Sequence, residues 1–233
     1  MDSKFTYLII NIFTLLYPVA QSFEHRLKYF KQWYALFPAI TITGAYFIIW
    51  DVLKTYYGVW SFNPEYLTGI YIINLPIEEW LFFITVPYAC IFIYEVMNYF
   101  IRKDLIGTKS INISKILGLI LVFLAVVNFE KSYTFVMFLS QGLFLLIIAF
   151  YVKPIWLGRF YLAYLVTLVP FLLVNGLLTS LPVVIYNDAE NLGIRIYTIP
   201  IEDTMYSMML LLMNTTIYEF IRNRKRNTNQ QVG

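Results

Sequence analysis

The sequence is poor in charge, cysteine and histidine, and it is rich in apolar residues. Only 13% of its 233 residues are charged and 60% are hydrophobic, with one cysteine and one histidine. The mean hydropathy is +0.67. A water-soluble globule needs more polar surface, so this composition excludes a soluble protein and indicates an integral membrane protein. The single cysteine, Cys90, excludes a disulfide framework within the chain.

Signatures of cofactor and nucleotide chemistry are also missing from the sequence. It has no Gly-rich phosphate loop, no dinucleotide-binding fingerprint, no zinc-spaced cluster of His and Cys, and no nucleophile elbow. We therefore expect neither a bound cofactor nor a metal ion. A nucleic-acid-binding protein would carry a longer basic segment with interleaved aromatic residues, so we expect no nucleic-acid partner.

Seven continuous apolar stretches predict an all-α, polytopic membrane protein with a single membrane domain, 1–233. A helix needs about 20 apolar residues to cross a hydrocarbon core roughly 30 Å thick. Continuous rather than alternating apolar runs favour helices over a barrel. The predicted spans are Phe5–Phe23, Trp33–Leu53, Pro76–Met97, Ile113–Phe129, Tyr133–Val152, Phe160–Leu181 and Pro200–Ile221.

Basic residues divide unequally between the two ends of these spans. Of the 17, thirteen fall on one face, and only Lys4, Lys54, Lys131 and Arg195 fall on the other. Because cytoplasmic loops are enriched in Lys and Arg, the C-terminus is predicted to be cytoplasmic and the N-terminus external. We expect a multi-pass protein of the inner cell membrane, in which residues 223–233 form a basic cytoplasmic tail.

The sequence aligns with itself without a gap at an offset of 124 residues. Pro76–Glu79 falls on Pro200–Asp203, and this match defines repeat one at about 5–98 and repeat two at about 133–222. A linker helix at about 113–129 separates them. Since a three-helix unit ends on the face opposite its start, the linker returns the chain to the first face. The two three-helix repeats are therefore predicted to be parallel, about an axis along the membrane normal.

Five carboxylates are predicted to gather at the non-cytoplasmic ends of the helices: Glu78, Glu79, Glu202, Asp203 and Asp51. Proline followed by acidic residues is also a good helix start. Two such motifs at matching positions are harder to explain by capping, because ionisable groups at membrane depth are costly and usually functional. Crowded carboxylates cannot all be ionised, so the cluster can supply a general acid and a general base.

Aromatic side chains near these acids are candidates for contact with a substrate. Trp50, Trp80 and Phe83 are the candidates, together with Asn175, which is equivalent to Asp51 in the repeat. A ring face can stabilise a carbocation by roughly 0.5 to 2 kcal/mol. Most other aromatic residues are expected to pack against lipid or lie at the interface.

A second pair of acids lies far from this cluster. Glu95 and Glu219 follow Glu78 and Glu202 by 17 residues, which is about 25 Å along a helix. We expect them to extend toward Arg102 and Arg222 at the cytoplasmic end.

The first motif and the residues after it, Pro76–Pro87, closely resemble the signature of the membrane-integral lycopene cyclases. The second motif matches the family pattern and ends in Asp where the first ends in Glu. The resemblance implies redox-neutral cyclisation of the linear ends of lycopene to β-ionone rings, giving γ-carotene and then β-carotene. The protein would then be an intramolecular lyase or isomerase that needs no flavin.

The same resemblance implies an order among the acids. Glu78 and Glu202 are the first catalytic candidates, Glu79 and Asp203 come next, and Asp51 is a supporting carboxylate. The implied partners are lycopene and membrane lipid, and contact with other enzymes of carotenoid biosynthesis is a further expectation.

Two other readings stay open at this point. The chain could be a carotenoid hydratase or a cyclase that forms a different ring, in which the cation is captured by water or loses another proton. It could also be a small membrane transporter, although its acids gather at one end and do not line a path across the bilayer.

The basic residues yield a testable topology. Reporter fusions at the C-terminus and in the Arg102–Lys115 loop should report a cytoplasmic location, and a fusion in the Asp188–Arg195 loop an external one. A cytoplasmic signal from the last fusion would contradict the parallel arrangement of the repeats.

Overall fold

A computed structural model describes residues 3–101 and 103–232, with side chains as far as residue 228, and it is predominantly helical. The helices are α1 (Thr6–Gln21), α2 (Trp33–Tyr56), α3 (Ile77–Phe100), α4 (Lys109–Val127), α5 (Ser132–Ile147), α6 (Leu157–Ser180) and α7 (Ile201–Val232). Short 3₁₀ turns lie at Ser3–Phe5, Tyr29–Gln32 and Pro64–Tyr66, and a π turn, Ile148–Val152, extends α5. The predicted all-α class of membrane protein is confirmed.

Among the described residues, six helical segments are long and apolar enough to cross a membrane; they contain α1 to α6, with the adjoining turns included for α1, α2 and α5. The seventh predicted span corresponds to α7, which carries Glu202, Asp203 and Asn214 among its buried residues. These groups, together with the polar segment after Ile221, lower its mean hydropathy relative to the other helices. The arrangement as seven spans stays a prediction.

With the π turn counted as part of α5, the helix ends differ from the predicted spans by more than three residues at two places. α4 begins at Lys109, four residues before the predicted start, and α7 continues to Val232. The segment predicted as a basic tail is thus helical as far as the structure describes it, because it contains no proline and no glycine before residue 233. Arg102, one of the predicted cytoplasmic residues, lies outside the described residues.

Six short strands, which the sequence analysis did not predict, lie between the helices at the end where α3 and α7 begin. They are β1 (Trp60–Phe62), β2 (Tyr71–Ile72), β3 (Leu75–Pro76), β4 (Val184–Tyr186), β5 (Arg195–Ile196) and β6 (Ile199–Pro200). The β2–β3 and β5–β6 hairpins pair at positions that match at the offset of 124. Each turn places a side-chain-bearing residue in the left-handed region, Ile73 at φ 62° and Tyr197 at φ 59°. Each repeat therefore contains a strained turn of the same kind at the equivalent position.

The strands β1 and β4 pair with each other and connect the two repeats. Their antiparallel register joins Trp60 to Tyr186, Ser61 to Ile185 and Phe62 to Val184. Ser61 and Ile185 are equivalent in the repeat, and they face each other at the centre. This register is the one that a two-fold axis between these two residues generates. It brings the beginnings of α3 and α7 to the same end of the molecule.

The linker helix α4 packs closely on α5 through two glycines. A Cβ on Gly142 would lie 2.9 Å from the carbonyl oxygen of Gly118 and 2.9 Å from Val122 Cγ2. Small residues at such a crossing let the backbones approach, and the resulting van der Waals packing is one source of helix association in a bilayer.

This packing predicts that a Gly→Ala substitution has different effects on thermal stability at two sites. Gly142→Ala should lower the thermal unfolding midpoint in detergent, because overfilling a packed contact costs about 1–3 kcal/mol. Gly176→Ala makes the same change in helix propensity, and its Cβ would meet nothing within 4 Å. It should leave the midpoint unchanged or raise it. Equal midpoints for the two variants would contradict a close α4–α5 contact.

Candidate active site

Three carboxyl side chains from three helices line one buried cavity of about 60 Å³. They are Asp51 from α2, Glu79 from α3 and Asp203 from α7, and each is at most 6% exposed. The site therefore combines three acidic groups in one small cavity.

Phenol groups hold the two acids of the first repeat. The Tyr7 hydroxyl donates a 2.6 Å hydrogen bond to Glu79 Oε2, and the Tyr206 hydroxyl donates a 2.7 Å bond to Asp51 Oδ1. The carboxyl groups of Asp51 and Glu79 also lie within hydrogen-bonding range of each other. Two carboxyl groups this close form an acid pair that can share a proton.

Asp203 has more donors than either of the other two acids. Tyr133 donates to its Oδ1 at 2.6 Å, and Tyr186 donates to its Oδ2 at 2.7 Å. The Asn175 amide lies 3.5 Å from the same Oδ2. Hydrogen bonds from phenols stabilise negative charge on a carboxylate, so Asp203 differs from the acid pair in its surroundings.

Glu78 and Glu202, the first candidates from the sequence, are buried but lie outside the residues that line this cavity. Glu78 Oε1 accepts a 2.7 Å hydrogen bond from the backbone N–H of Thr68, and Glu202 Oε1 accepts one of 2.8 Å from Leu192. Thr134 adds a 2.5 Å bond to Glu202. Both carboxylates thus anchor the connectors that precede the hairpins. A catalytic role for them stays a prediction.

Of the four predicted substrate contacts, one lines the cavity and three do not. Asn175 lines the cavity. Trp50 and Phe83 are buried elsewhere, against Phe47 at ring distances of 6.4 and 6.1 Å. Trp80 is half-buried and also lies outside the cavity lining.

The sequence analysis missed the tyrosines that hold the acids. Tyr7 and Tyr133 come from α1 and from the start of α5, and Tyr186 comes from β4. A tyrosine within an apolar run was the sequence signal that could have identified them, because a buried phenol needs a hydrogen-bond partner. Tyr206 follows Asp203 by three residues, a spacing that places the two on neighbouring parts of one helix face.

A second cavity adjoins the first and is almost entirely apolar. We call it the lateral groove; it has a volume of about 570 Å³ and lies between α1, α3 and α6. The residues that line both the groove and the acid cavity are Phe82, Val86, Phe171, Asn175 and Ser207. The groove and the acid cavity are therefore adjacent and share one wall.

The acids predicted at the cytoplasmic end form a separate ionic cluster. Arg222 pairs with Glu95 at 2.6 Å and with Glu219 at 2.7 Å. Tyr94 donates a further bond of 2.7 Å to Glu219. The expected contact of these acids with Arg222 is confirmed, whereas the contact with Arg102 falls outside the described residues.

A comparison with known families decides where this arrangement belongs. The family model described as lycopene cyclase matches residues 4–97 and 130–221, one segment in each repeat. The chain belongs to the lycopene cyclase family. Membership confirms the resemblance found in the sequence and implies an enzyme of carotenoid biosynthesis, a cyclase with a carotenoid substrate in a membrane. No curated protein and no solved structure in the comparison matches the chain.

Within the described residues of this family member, no group of three His, Cys, Asp or Glu side chains is arranged to hold a metal ion. The acids of the cavity are instead matched to phenol donors.

The anchoring bonds of Glu78 predict how its substitution affects stability. Glu78→Ala should lower the thermal unfolding midpoint and speed proteolysis of the 57–75 connector, because it removes the charged acceptor of the half-buried Thr68 N–H, at a cost of about 1–3 kcal/mol. Glu78→Gln keeps an acceptor oxygen and should stay close to the parent. Equal stability of the alanine and glutamine variants would contradict the anchoring role.

Proposed function

We propose that the protein is a lycopene β-cyclase that forms β-ionone rings by acid–base catalysis without a net redox change. The observation that carries this proposal is the meeting of Asp51, Glu79 and Asp203 in one buried cavity beside an apolar groove, in a member of the lycopene cyclase family. The product is an isomer of the substrate, so the reaction needs only a proton donor, a proton acceptor and protection of the cation.

The acid pair of Asp51 and Glu79 is suited to the first step. A proton from the pair adds to C2 of the terminal alkene, which leaves a tertiary cation at C1. The C5=C6 double bond attacks C1, the six-membered ring closes, and the positive charge moves to C5. General acid catalysis of this kind typically contributes about 10²- to 10⁴-fold.

Asp203 is suited to the last step. Its two phenol donors, Tyr133 and Tyr186, stabilise the charge that a base must carry. Removal of the C6 proton by Asp203 restores a double bond between C5 and C6 and completes a β ring. One proton has then been added at C2 and one removed from C6. Transfer of a proton from Asp203 back to the acid pair restores the site.

The walls of the cavity suit a short-lived cation. Trp60, Phe82 and Phe171 line it, and each ring face that meets the charge contributes roughly 0.5 to 2 kcal/mol. The side chains around the acids are mostly apolar or aromatic, so a bound end group would displace water from beside them. Exclusion of water favours proton loss over hydration, which separates a cyclase from a hydratase.

The same proposal includes the membrane arrangement. Seven spans would form two parallel three-helix repeats joined by α4, in the inner membrane and with a cytoplasmic C-terminus. The self-equivalent pairing of β1 with β4 supports parallel repeats, because parallel repeats share an axis that also relates these strands. The excess of basic residues at one end supports the orientation.

The decisive experiment is expression in lycopene-accumulating bacteria, followed by chromatography and mass spectrometry of the pigments. The parent protein should give γ-carotene and β-carotene, which have the mass of lycopene. Glu79→Gln, Asp51→Asn and Asp203→Asn should each lose about 10²- to 10⁴-fold in cyclisation rate, since each removes an acid or a base from the cavity. Immunoblots of membranes should show normal amounts of each variant.

Glu78→Gln is the matched control, because it makes the same chemical change one residue away and keeps the bond to Thr68. It should retain substantial activity. Loss of activity in a stable Glu78→Gln variant would return the catalytic role to that residue. A product that is heavier than lycopene by one water would make the protein a hydratase, and an isomer with another ring would show that the base removes a different proton.

A further inference from the structure

The two repeats differ in the space beside the acids. The offset of 124 makes Val174 in the lateral groove equivalent to Trp50, and Ser207 equivalent to Phe83. Small residues thus line the groove where the equivalent region of the other repeat has large aromatic residues. This difference predicts that side chains fill the region of the other repeat that is equivalent to the groove.

The structure fills that counterpart with packed rings. Phe47 lies 6.1 Å from Phe83 and 6.4 Å from Trp50, measured between ring centroids, and 5.0 Å from Tyr206. All three of Phe47, Trp50 and Phe83 are buried. At the offset of 124, these three residues are equivalent to Phe171, Val174 and Ser207, which line the groove, so the aromatic cluster occupies the position that corresponds to the groove.

The lateral groove, in contrast, is open to the side. Phe13 of α1 and Leu173 of α6 line it and are 68% and 66% exposed on the flank that faces lipid. Every residue that lines the groove is uncharged. A hydrocarbon without a polar head group fits this lining, whereas the head group of a phospholipid would find no charged partner there.

Building on the proposed function, we propose that the lateral groove is the single entrance through which one end of the carotenoid polyene reaches the acids from the bilayer. On α1 the groove runs from Ile9 to Pro18, about 14 Å at 1.5 Å per residue. A forty-carbon polyene is longer than this, so its remainder lies in lipid. With the aromatic cluster closing the other repeat, only one end of the substrate enters at a time.

The test introduces large aromatic side chains into the lateral groove. Val174→Trp and Ser207→Phe place in the groove the residues that occupy the equivalent positions of the other repeat. Each should lower both the cyclisation rate and the lycopene that co-purifies with the protein by about tenfold or more, since each fills the path of the polyene. Neither residue is one of the proposed acids. Val174 lines the groove and not the acid cavity, so Val174→Trp is the principal test, whereas Ser207 lines both.

Val169→Trp is the matched control. Val169 lies on α6, is 63% exposed and is not part of the groove lining. This variant makes the same change in size as Val174→Trp and should keep parental activity and pigment. Thermal unfolding in detergent measures whether each variant is folded, and Ser207→Phe provides a second, independent block if Val174→Trp is unstable.

The possible outcomes test the proposed entrance and the proposed reaction separately. Parental protein that leaves lycopene unchanged would contradict the proposed function. An active parent together with folded, fully active Val174→Trp and Ser207→Phe variants would overturn the entrance and leave the function standing. Loss of activity and pigment in both folded variants, with Val169→Trp unaffected, is the result expected from a single entrance. Purified parent that holds phospholipid but no carotenoid would assign the groove to lipid and also overturn it.

Discussion

A carboxyl group buried at the end of a membrane helix must find a hydrogen-bond donor within the protein, because lipid supplies none, and the rest of this structure depends on that constraint. The donors come from other helices. Tyr7 ties α1 to Glu79, and Tyr133 ties α5 to Asp203. Tyr206 of α7 reaches Asp51 on α2 and so joins the two repeats. The bonds that satisfy the acids therefore also set how the helices pack around the cavity.

The sequence predicted the helices, the duplication and the gathering of acids, because apolar runs and a gapless offset are properties of the chain alone. The family resemblance ranked Glu78 before Glu79, but the sequence does not show which of the two faces the cavity. Consecutive residues of a helix point about 100° apart, and a repeat match shows which positions are equivalent but not which of them face inward. The hairpins were missed because strands of two or three residues carry too little pattern. The alignment of the two repeats pairs Val174 with Trp50. Only the packed structure shows that Val174 lines an open groove while Trp50 lies in an aromatic cluster.

Duplication supplied two similar halves, and the site uses their differences. Asp51 of one repeat and its equivalent Asn175 of the other both line the cavity, and Glu79 has Asp203 as its equivalent. In the proposed reaction one side gives a proton and the other takes one, so identical halves would serve poorly. The repeats share the connectors and hairpins that position the acids, and they differ where a donor must be distinguished from an acceptor.

The aromatic cluster around Phe47 has a consequence for how the two ends of one substrate molecule are handled. With a single opening, a molecule cyclised at one end must leave the groove, turn over and return before its second end can react. Such an enzyme is distributive rather than processive. The monocyclic compound would mix with the lipid pool and compete with fresh lycopene for the same opening. The ratio of one-ring to two-ring products would then depend on how much carotenoid the membrane holds.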